Sequence, residues 1–154
     1  MSRALERGFT LLEMVGVLAL IAMMAAVLLP FVPHHTSRPR LQAYALQAAA
    51  LLKADRNAAI RRGVDIATLV DATGRSIRSG ATADTIRIPD DVRFEALLPQ
   101  TCNRHEVLST INFFASGMSC GGAIALTRLD AGFEVRVNWL TGRIEIVSHN
   151  SATN

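Results

Sequence analysis

The sequence of 154 residues lacks two loop motifs that support catalysis in many enzymes. The stretch SGMS at residues 116–119 does not match G-x-S-x-G, the turn that presents a nucleophilic serine. The glycines between residues 117 and 122 lack the Lys-Ser/Thr pair of a phosphate-binding loop. Cys102 and His105 could form a Cys-His nucleophile on residue type alone. We infer that the protein is not an enzyme and expect no cofactor.

A strong excess of one charge is also lacking, since the formal net charge is only +3. Residues 1–8 hold two arginines and one glutamate, so a chain without them would carry +2. A balance this even gives no electrostatic reason to expect nucleic acid as a partner.

Cysteine is scarce, and Cys102 and Cys120 are the two present. In an oxidising compartment an even number favours a disulfide, which would add about 3 kcal/mol of stability for a loop of this size. Two free thiols are the alternative, as is a metal site that adds His105 but has no clear fourth ligand. Asp90 and Asp91 could bind calcium or only form a turn. We predict no metal site.

A long uncharged run lies near the start of the chain. Residues 14–29 have no charged side chain, and Glu13 carries the only charge between residues 9 and 32. As a helix, residues 9–32 would span about 36 Å, enough for a hydrocarbon core of about 30 Å. No A-x-A cleavage pattern follows the run, as it would in an ordinary secretory signal. An acid in such a helix costs about 2.5–3.5 kcal/mol, so Glu13 is either functional or snorkels to the headgroups.

The block GFTLLE at residues 8–13 resembles the class III leader of type IV pilins and type II secretion pseudopilins. The resemblance implies that a prepilin peptidase cleaves between Gly8 and Phe9 and that the new amino group of Phe9 is methylated. It implies that Glu13 pairs with the Phe9 amino group of a neighbouring subunit, and that Pro30 kinks the helix. It also implies a cytoplasmic N-terminus and a periplasmic C-terminal domain.

A second helix is predicted at about residues 40–62, followed by Gly63 as its stop. Its apolar side chains recur every three or four residues and predict a buried stripe: Leu41, Tyr44, Ala45, Ala48, Leu51, Leu52, Ala59 and Ile60. Short strands are predicted after it, at residues 66–70, 75–78, 85–88, 92–97, 110–114, 123–128, 133–139 and 143–147. A helix followed by antiparallel hairpins predicts an α+β fold with the sheet or sheets packed against the helix.

The C-terminal third is similar to the GspH/FimT group, at residues 111–114, 117, 121–126, 135–137 and 141–143. That group contains the H-type minor pseudopilins of type II secretion and related minor pilins. The resemblance implies a pilin-like α+β fold. It implies a prepilin leader at residues 1–8, a transmembrane assembly helix at 9–32 and a periplasmic domain at 33–154.

The function implied is that of a minor pseudopilin at or near the tip of the type II secretion pseudopilus, which helps export folded proteins across the outer membrane. The alternative is a minor type IV pilin of the FimT/FimU kind, involved in pilus initiation, adhesion or DNA uptake. The expected partners are other minor and major pseudopilins, the prepilin peptidase and the inner-membrane assembly platform. The expected location is the bacterial inner membrane, crossed once.

Overall fold

The computed structural model describes residues 10–28, 35–107 and 109–150, and the chain divides into two units, Met1–His35 and Thr36–Asn154. The first unit contains α1, Leu11–Leu28. Thr10 precedes this helix and accepts the backbone N–H of Glu13 on its carbonyl oxygen, at 3.0 Å, and on Oγ1, at 3.3 Å. Thr10 therefore satisfies an amide that has no partner within the helix. Among the described residues, no helix is both long enough and apolar enough to cross a membrane.

Several predicted features lie outside the described residues. The predicted cleavage and methylation sites, Gly8 and Phe9, lie outside them. The predicted kink at Pro30 does too. The predicted leader at residues 1–8 and both ends of the predicted membrane helix at residues 9–32 also lie outside them. These features therefore remain predictions from the sequence.

The second unit begins with α2, Arg38–Arg62, which starts two residues earlier than predicted. Ser37 stands before it in an extended conformation, and Pro39 lies in its first turn. A proline is tolerated there because the amides of the first turn have no acceptor within the helix. Gly63 ends the helix in the left-handed region, with φ at 64°, and its N–H donates to the carbonyl of Ala59.

The strands of the second unit form two four-stranded antiparallel sheets and a separate hairpin. In chain order they are β1 (Ile66–Asp71), β2 (Ser76–Arg78), β3 (Thr85–Arg87), β4 (Arg93–Leu97), β5 (Thr101–Cys102), β6 (His105–Glu106), β7 (Thr110–Phe113), β8 (Gly122–Arg128), β9 (Ala131–Val137) and β10 (Ile144–Asn150). The first sheet has the order β3-β2-β1-β7, the second has the order β10-β9-β8-β4, and β5 pairs with β6. The sequence did not predict the short pair β5 and β6. The predicted α+β architecture is confirmed.

One face of α2 packs against strands of both sheets and forms the core with them. Five residues of the predicted stripe are buried: Leu41, Ala45, Ala48, Leu52 and Ala59. Tyr44 and Leu51 are half-buried. The prediction for Ile60 is wrong, since 43% of this residue is exposed. A Cβ added to Gly117 would come within 3.0 Å of Ile60 Cδ1, so Ile60 borders the loop between β7 and β8.

The predicted strand at residues 133–139 is also wrong at its end, because β9 stops at Val137. The Oδ1 atom of Asn138 accepts the backbone N–H groups of Leu140 and Thr141, each at 3.0 Å. A side chain bonded in this way offers the backbone an alternative to the sheet ladder and turns the chain. Trp139 consequently leaves the buried face of the sheet, and 63% of it is exposed.

Candidate assembly site

The helix α1 presents an apolar surface that nothing in the described chain covers. Every side chain from residue 11 to residue 26 is exposed, including those of Leu12, Leu18 and Met23. Soluble monomers rarely expose contiguous apolar patches larger than a few hundred Å². This helix therefore requires cover by lipid or by other protein chains.

Glu13 is the one acid on α1 and lies in its first turn. A carboxylate there interacts favourably with the positive end of the helix dipole. Within the described residues, no hydrogen bond or ion pair to the Glu13 carboxylate is formed. A donor for this group is therefore not supplied by the described residues, and the predicted pairing with Phe9 of a neighbour stays a prediction.

Asp55 on α2 forms a buried polar centre that the sequence analysis did not predict. Its carboxylate is fully buried and accepts the hydroxyls of Thr68, at 2.6 Å, and Ser79, at 2.5 Å. It also accepts the backbone N–H groups of Gly80, at 3.0 Å, and Ala81, at 3.2 Å. Buried polar groups are stable when they are hydrogen-bonded in this way. Asp55 thus has all its partners within its own chain and ties the loop after β2 to α2.

Asp91 forms a second polar cluster at the point where the chain enters the second unit. Its carboxylate accepts the backbone N–H of Thr36 at 2.7 Å and the Thr36 hydroxyl at 2.8 Å. It also pairs with Arg128 Nε at 3.0 Å. The bonds from Thr36 lower the pKa of Asp91 most, and Arg128 lowers it further, because all of them stabilise the ionised form. We call Thr36, Asp91 and Arg128 the entry cluster.

The candidate calcium ligands Asp90 and Asp91 have protein partners in the structure. The oxygens of Asp91 accept bonds in the entry cluster, while Asp90 lies 3.4 Å from Arg75 Nε. In the ranges 10–28, 35–107 and 109–150, no group of three or more His, Cys, Asp or Glu side chains could hold a metal ion.

Cys102 and Cys120 form a disulfide in the structure. Their Cα atoms are 5.7 Å apart, a usual separation for such a bond. The bond joins β5 to the connection between β7 and β8. His105 faces Cys102 across the β5–β6 pair and is exposed. Because both sulfurs are bonded to each other, neither is a thiolate that could attack a substrate or bind a metal.

Arg56 on α2 fixes two loops at once, which the sequence analysis also missed. Its Nε donates to the carbonyl of Gly117 and its Nη2 donates to the carbonyl of Thr141, each at 3.0 Å. The loops meet so closely that a Cβ at Gly142 would lie 2.1 Å from the Gly117 carbonyl oxygen. Gly142 also has φ at 63°, so this position needs glycine on both grounds. The turn that carries Trp139 is thereby held against α2.

Comparisons with known proteins identify related sequences. Residues 3–29 match the family model for the prokaryotic N-terminal methylation motif. The chain is 34% identical over 139 residues to type II secretion system protein H of Xanthomonas campestris pv. campestris. That alignment covers 90% of this chain and 81% of the relative.

Two solved structures show the same fold. The minor pseudopilin EpsH of the Vibrio cholerae type 2 secretion system superposes with a TM-score of 0.53 at 11% identity, over 74% of this chain and 98% of that one. The type IV minor pilin FimU of Pseudomonas aeruginosa superposes with a TM-score of 0.52 at 18% identity, over 73% of this chain and 91% of that one. The predicted pilin-like fold is therefore confirmed.

Proposed function

Since this chain belongs to the type II secretion system protein H family and is a minor pseudopilin, we propose that it lies at or near the tip of the pseudopilus and helps export folded proteins across the outer membrane. The observation that carries the proposal is the identity to protein H, which extends over most of both chains. In this role the protein assembles with other pseudopilins and acts by docking, with no chemistry of its own.

The processing and location form part of the same proposal. Residues 9–32 anchor the protein once in the inner membrane, with the N-terminus in the cytoplasm and the domain in the periplasm. The uncharged run and the methylation motif at residues 3–29 support this arrangement. The prepilin peptidase cleaves between Gly8 and Phe9, Phe9 is methylated, and the inner-membrane assembly platform receives the mature subunit.

Glu13 supports the assembly role because none of the described residues bonds to its carboxylate. Its exposed carboxylate on an apolar helix costs free energy unless a donor reaches it. The amino group of Phe9 on a neighbouring subunit is the donor we propose. Pairing would offset that cost only in the assembled filament, so Glu13 favours assembly over the isolated anchor.

Gene deletion and restoration test the function. In cells with an intact secretion system, deletion of this gene should stop the release of a folded secreted reporter, and the full chain should restore it. The Gly8→Val variant should not restore release of the reporter, because a side chain at residue 8 obstructs the peptidase. Mass measurement of the restored protein should show a chain that starts at methylated Phe9.

A minor type IV pilin is the second candidate, because the fold is shared with FimU. The same deletion strain separates the two functions. Loss of pili or of DNA uptake with reporter release intact would contradict the secretion role and favour the pilus.

A further inference from the structure

The end of the second unit near the last third of α2 carries an exposed surface with an apolar and a cationic part. The apolar part consists of Met118, Trp139 and Leu140, of which 38%, 63% and 53% are exposed. The cationic part consists of Lys53, which is exposed, and Arg56, which is half-buried, both on α2. We call these five residues the Trp139 surface. Trp139 is the only tryptophan of the chain.

Two clefts lie on either side of the turn at residues 138–142. The cleft on one side, of about 480 Å³, lies between Trp139, Met118, Phe114 and the disulfide. The cleft on the other side, of about 590 Å³, is lined by Lys53, Arg56 and Arg143. Among the described residues, no aspartate or glutamate lines either cleft. Arg143 pairs with Glu145 at 2.9 Å, so Lys53 and Arg56 supply the uncompensated positive charge.

The turn that presents Trp139 and Leu140 is fixed by several hydrogen bonds. Besides the bonds from Asn138 Oδ1 and Arg56, the backbone N–H of Ser119 donates to the Trp139 carbonyl at 3.0 Å. The N–H of Gly142 donates to the Asn138 carbonyl at 2.8 Å. Side chains on a turn that is already ordered lose less conformational entropy when a partner binds. Trp, Met and Arg side chains are also the types enriched in the cores of protein interfaces.

We propose that the Trp139 surface docks another pseudopilin through a segment that places an apolar side chain beside a carboxylate. The apolar side chain enters the cleft at Trp139, and the carboxylate approaches Lys53 and Arg56. Charge complementarity determines this choice of partner group. No described aspartate or glutamate lines the cleft that holds Lys53 and Arg56, so these cations favour an anionic group. A nucleic acid would supply phosphates to the same cations, but Met118 and Leu140 would gain nothing from them.

The partner class rests on the proposed function, in which the neighbours of this chain are other pseudopilins. Arg56 lies 18 residues after Arg38, about 27 Å along the axis of α2 from the point where the chain enters the domain. The Trp139 surface therefore lies well away from residue 36, so a neighbouring subunit can cover it and leave the start of the domain free.

Photo-cross-linking in living cells tests the proposal with the full chain. A benzoylphenylalanine probe at position 140 should form a cross-link to another pseudopilin when the secretion genes are present. The same probe at position 129 is the matched control, because Leu129 is 84% exposed on the β8–β9 turn. We expect at least a tenfold lower yield from position 129. Trp139→Ala and Lys53→Glu should each lower the yield from position 140 at least fivefold, whereas Leu129→Ala should not change it.

A third probe at position 17 on α1 separates this proposal from the proposed function. If position 17 cross-links to pseudopilins and position 140 does not, the docking surface is wrong and the filament role stands. If neither position does, the filament role itself fails. Cross-links from position 140 only to a second copy of this chain, to a secreted protein or to DNA would overturn the proposed partner. Equal yields from positions 140 and 129 would overturn the surface as well.

Discussion

The two helices each carry one acid, and the two acids are held in opposite ways. On α2, Asp55 is fully buried and accepts four hydrogen bonds from its own chain. On α1, Glu13 is exposed among apolar side chains, and within the described residues its carboxylate has no protein partner. The carboxylate of Asp55 thus has its partners within the domain, whereas none of the described residues supplies a partner for the carboxylate of Glu13.

This contrast predicts that α2 determines the stability of the domain and that α1 determines its association with other subunits. Substitutions on the buried face of α2 should change the free energy of unfolding, because their contacts are internal. Substitutions on α1 should leave that free energy unchanged and alter association instead.

The largest effect is expected for Asp55→Ala. The change leaves at least two buried donors without an acceptor, at about 1–3 kcal/mol each, so we expect a loss of about 2–6 kcal/mol. Urea unfolding of the full chain in detergent measures it. Asp130→Ala is the control, because Asp130 is exposed in a turn and should change stability by less than about 0.5 kcal/mol. If Asp55→Ala and Asp130→Ala lowered the free energy of unfolding equally, the hydrogen bonds to Asp55 would add no stability.

The next largest effect is expected for Leu52→Ala. It should lower the free energy of unfolding by about 2–5 kcal/mol, because Leu52 is fully buried between α2 and the sheets. Leu46→Ala on the same helix is the matched control, because Leu46 is more than half exposed. The same urea titration compares them. A loss for Leu46→Ala as large as that for Leu52→Ala would show that the buried face of α2 has been misassigned.

Glu13→Ala should leave the unfolding free energy of the domain within about 0.5 kcal/mol of the original. It should insert in the membrane at least as well, because it removes a charge. The cross-linking yield between α1 and other pseudopilins should nevertheless fall about fivefold. Met14→Ala, at the next exposed position of α1, should keep the full yield. Unchanged yields for Glu13→Ala would show that Glu13 only snorkels to the headgroups.

The smallest effect concerns pH and the entry cluster. The folded state lowers the pKa of Asp91 below its ordinary value of 3.8, so the folded state binds fewer protons than the unfolded state. The resulting stability is complete above pH 3.8 and is lost as the pH falls through the lowered value. Between about pH 5 and pH 2, Asp91→Asn should therefore lose less stability than the original chain. Asp90→Asn is the control, because that side chain is fully exposed. If the free energy of unfolding changed with pH in the same way for Asp91→Asn and the original chain, the lowered pKa of Asp91 would be contradicted.

Periodicity was enough to predict the helix α2 and most of its buried stripe, because burial of one helical face repeats every three or four residues. Asp55 lies on that same stripe, three residues after Leu52 and four before Ala59. The position of Asp55 on the stripe was a sign in the sequence that this residue is buried. Its hydrogen-bond donors could not be predicted, because they come from residues 68 and 79–81, which approach Asp55 only in the folded chain.

Trp139 shows a second limit of the sequence pattern. The alternation Phe133, Val135, Val137 continues to Trp139, so the pattern predicts one strand with one buried face. The structure ends the strand because Asn138 bonds to the amides that follow it. A side chain that competes with the sheet for backbone amides is a local event that periodicity does not register.

The entry cluster also determines how the domain responds to mechanical tension. Any pull on the chain ahead of residue 36 is transmitted first to Thr36, which Asp91 holds by two hydrogen bonds and links to Arg128 on β8. The first backbone bond of α2, from the Leu41 N–H to the Ser37 carbonyl, lies directly behind this point. Tension on residue 36 would therefore be shared with the second sheet as it reaches α2, so the first turn of that helix would not carry the whole load.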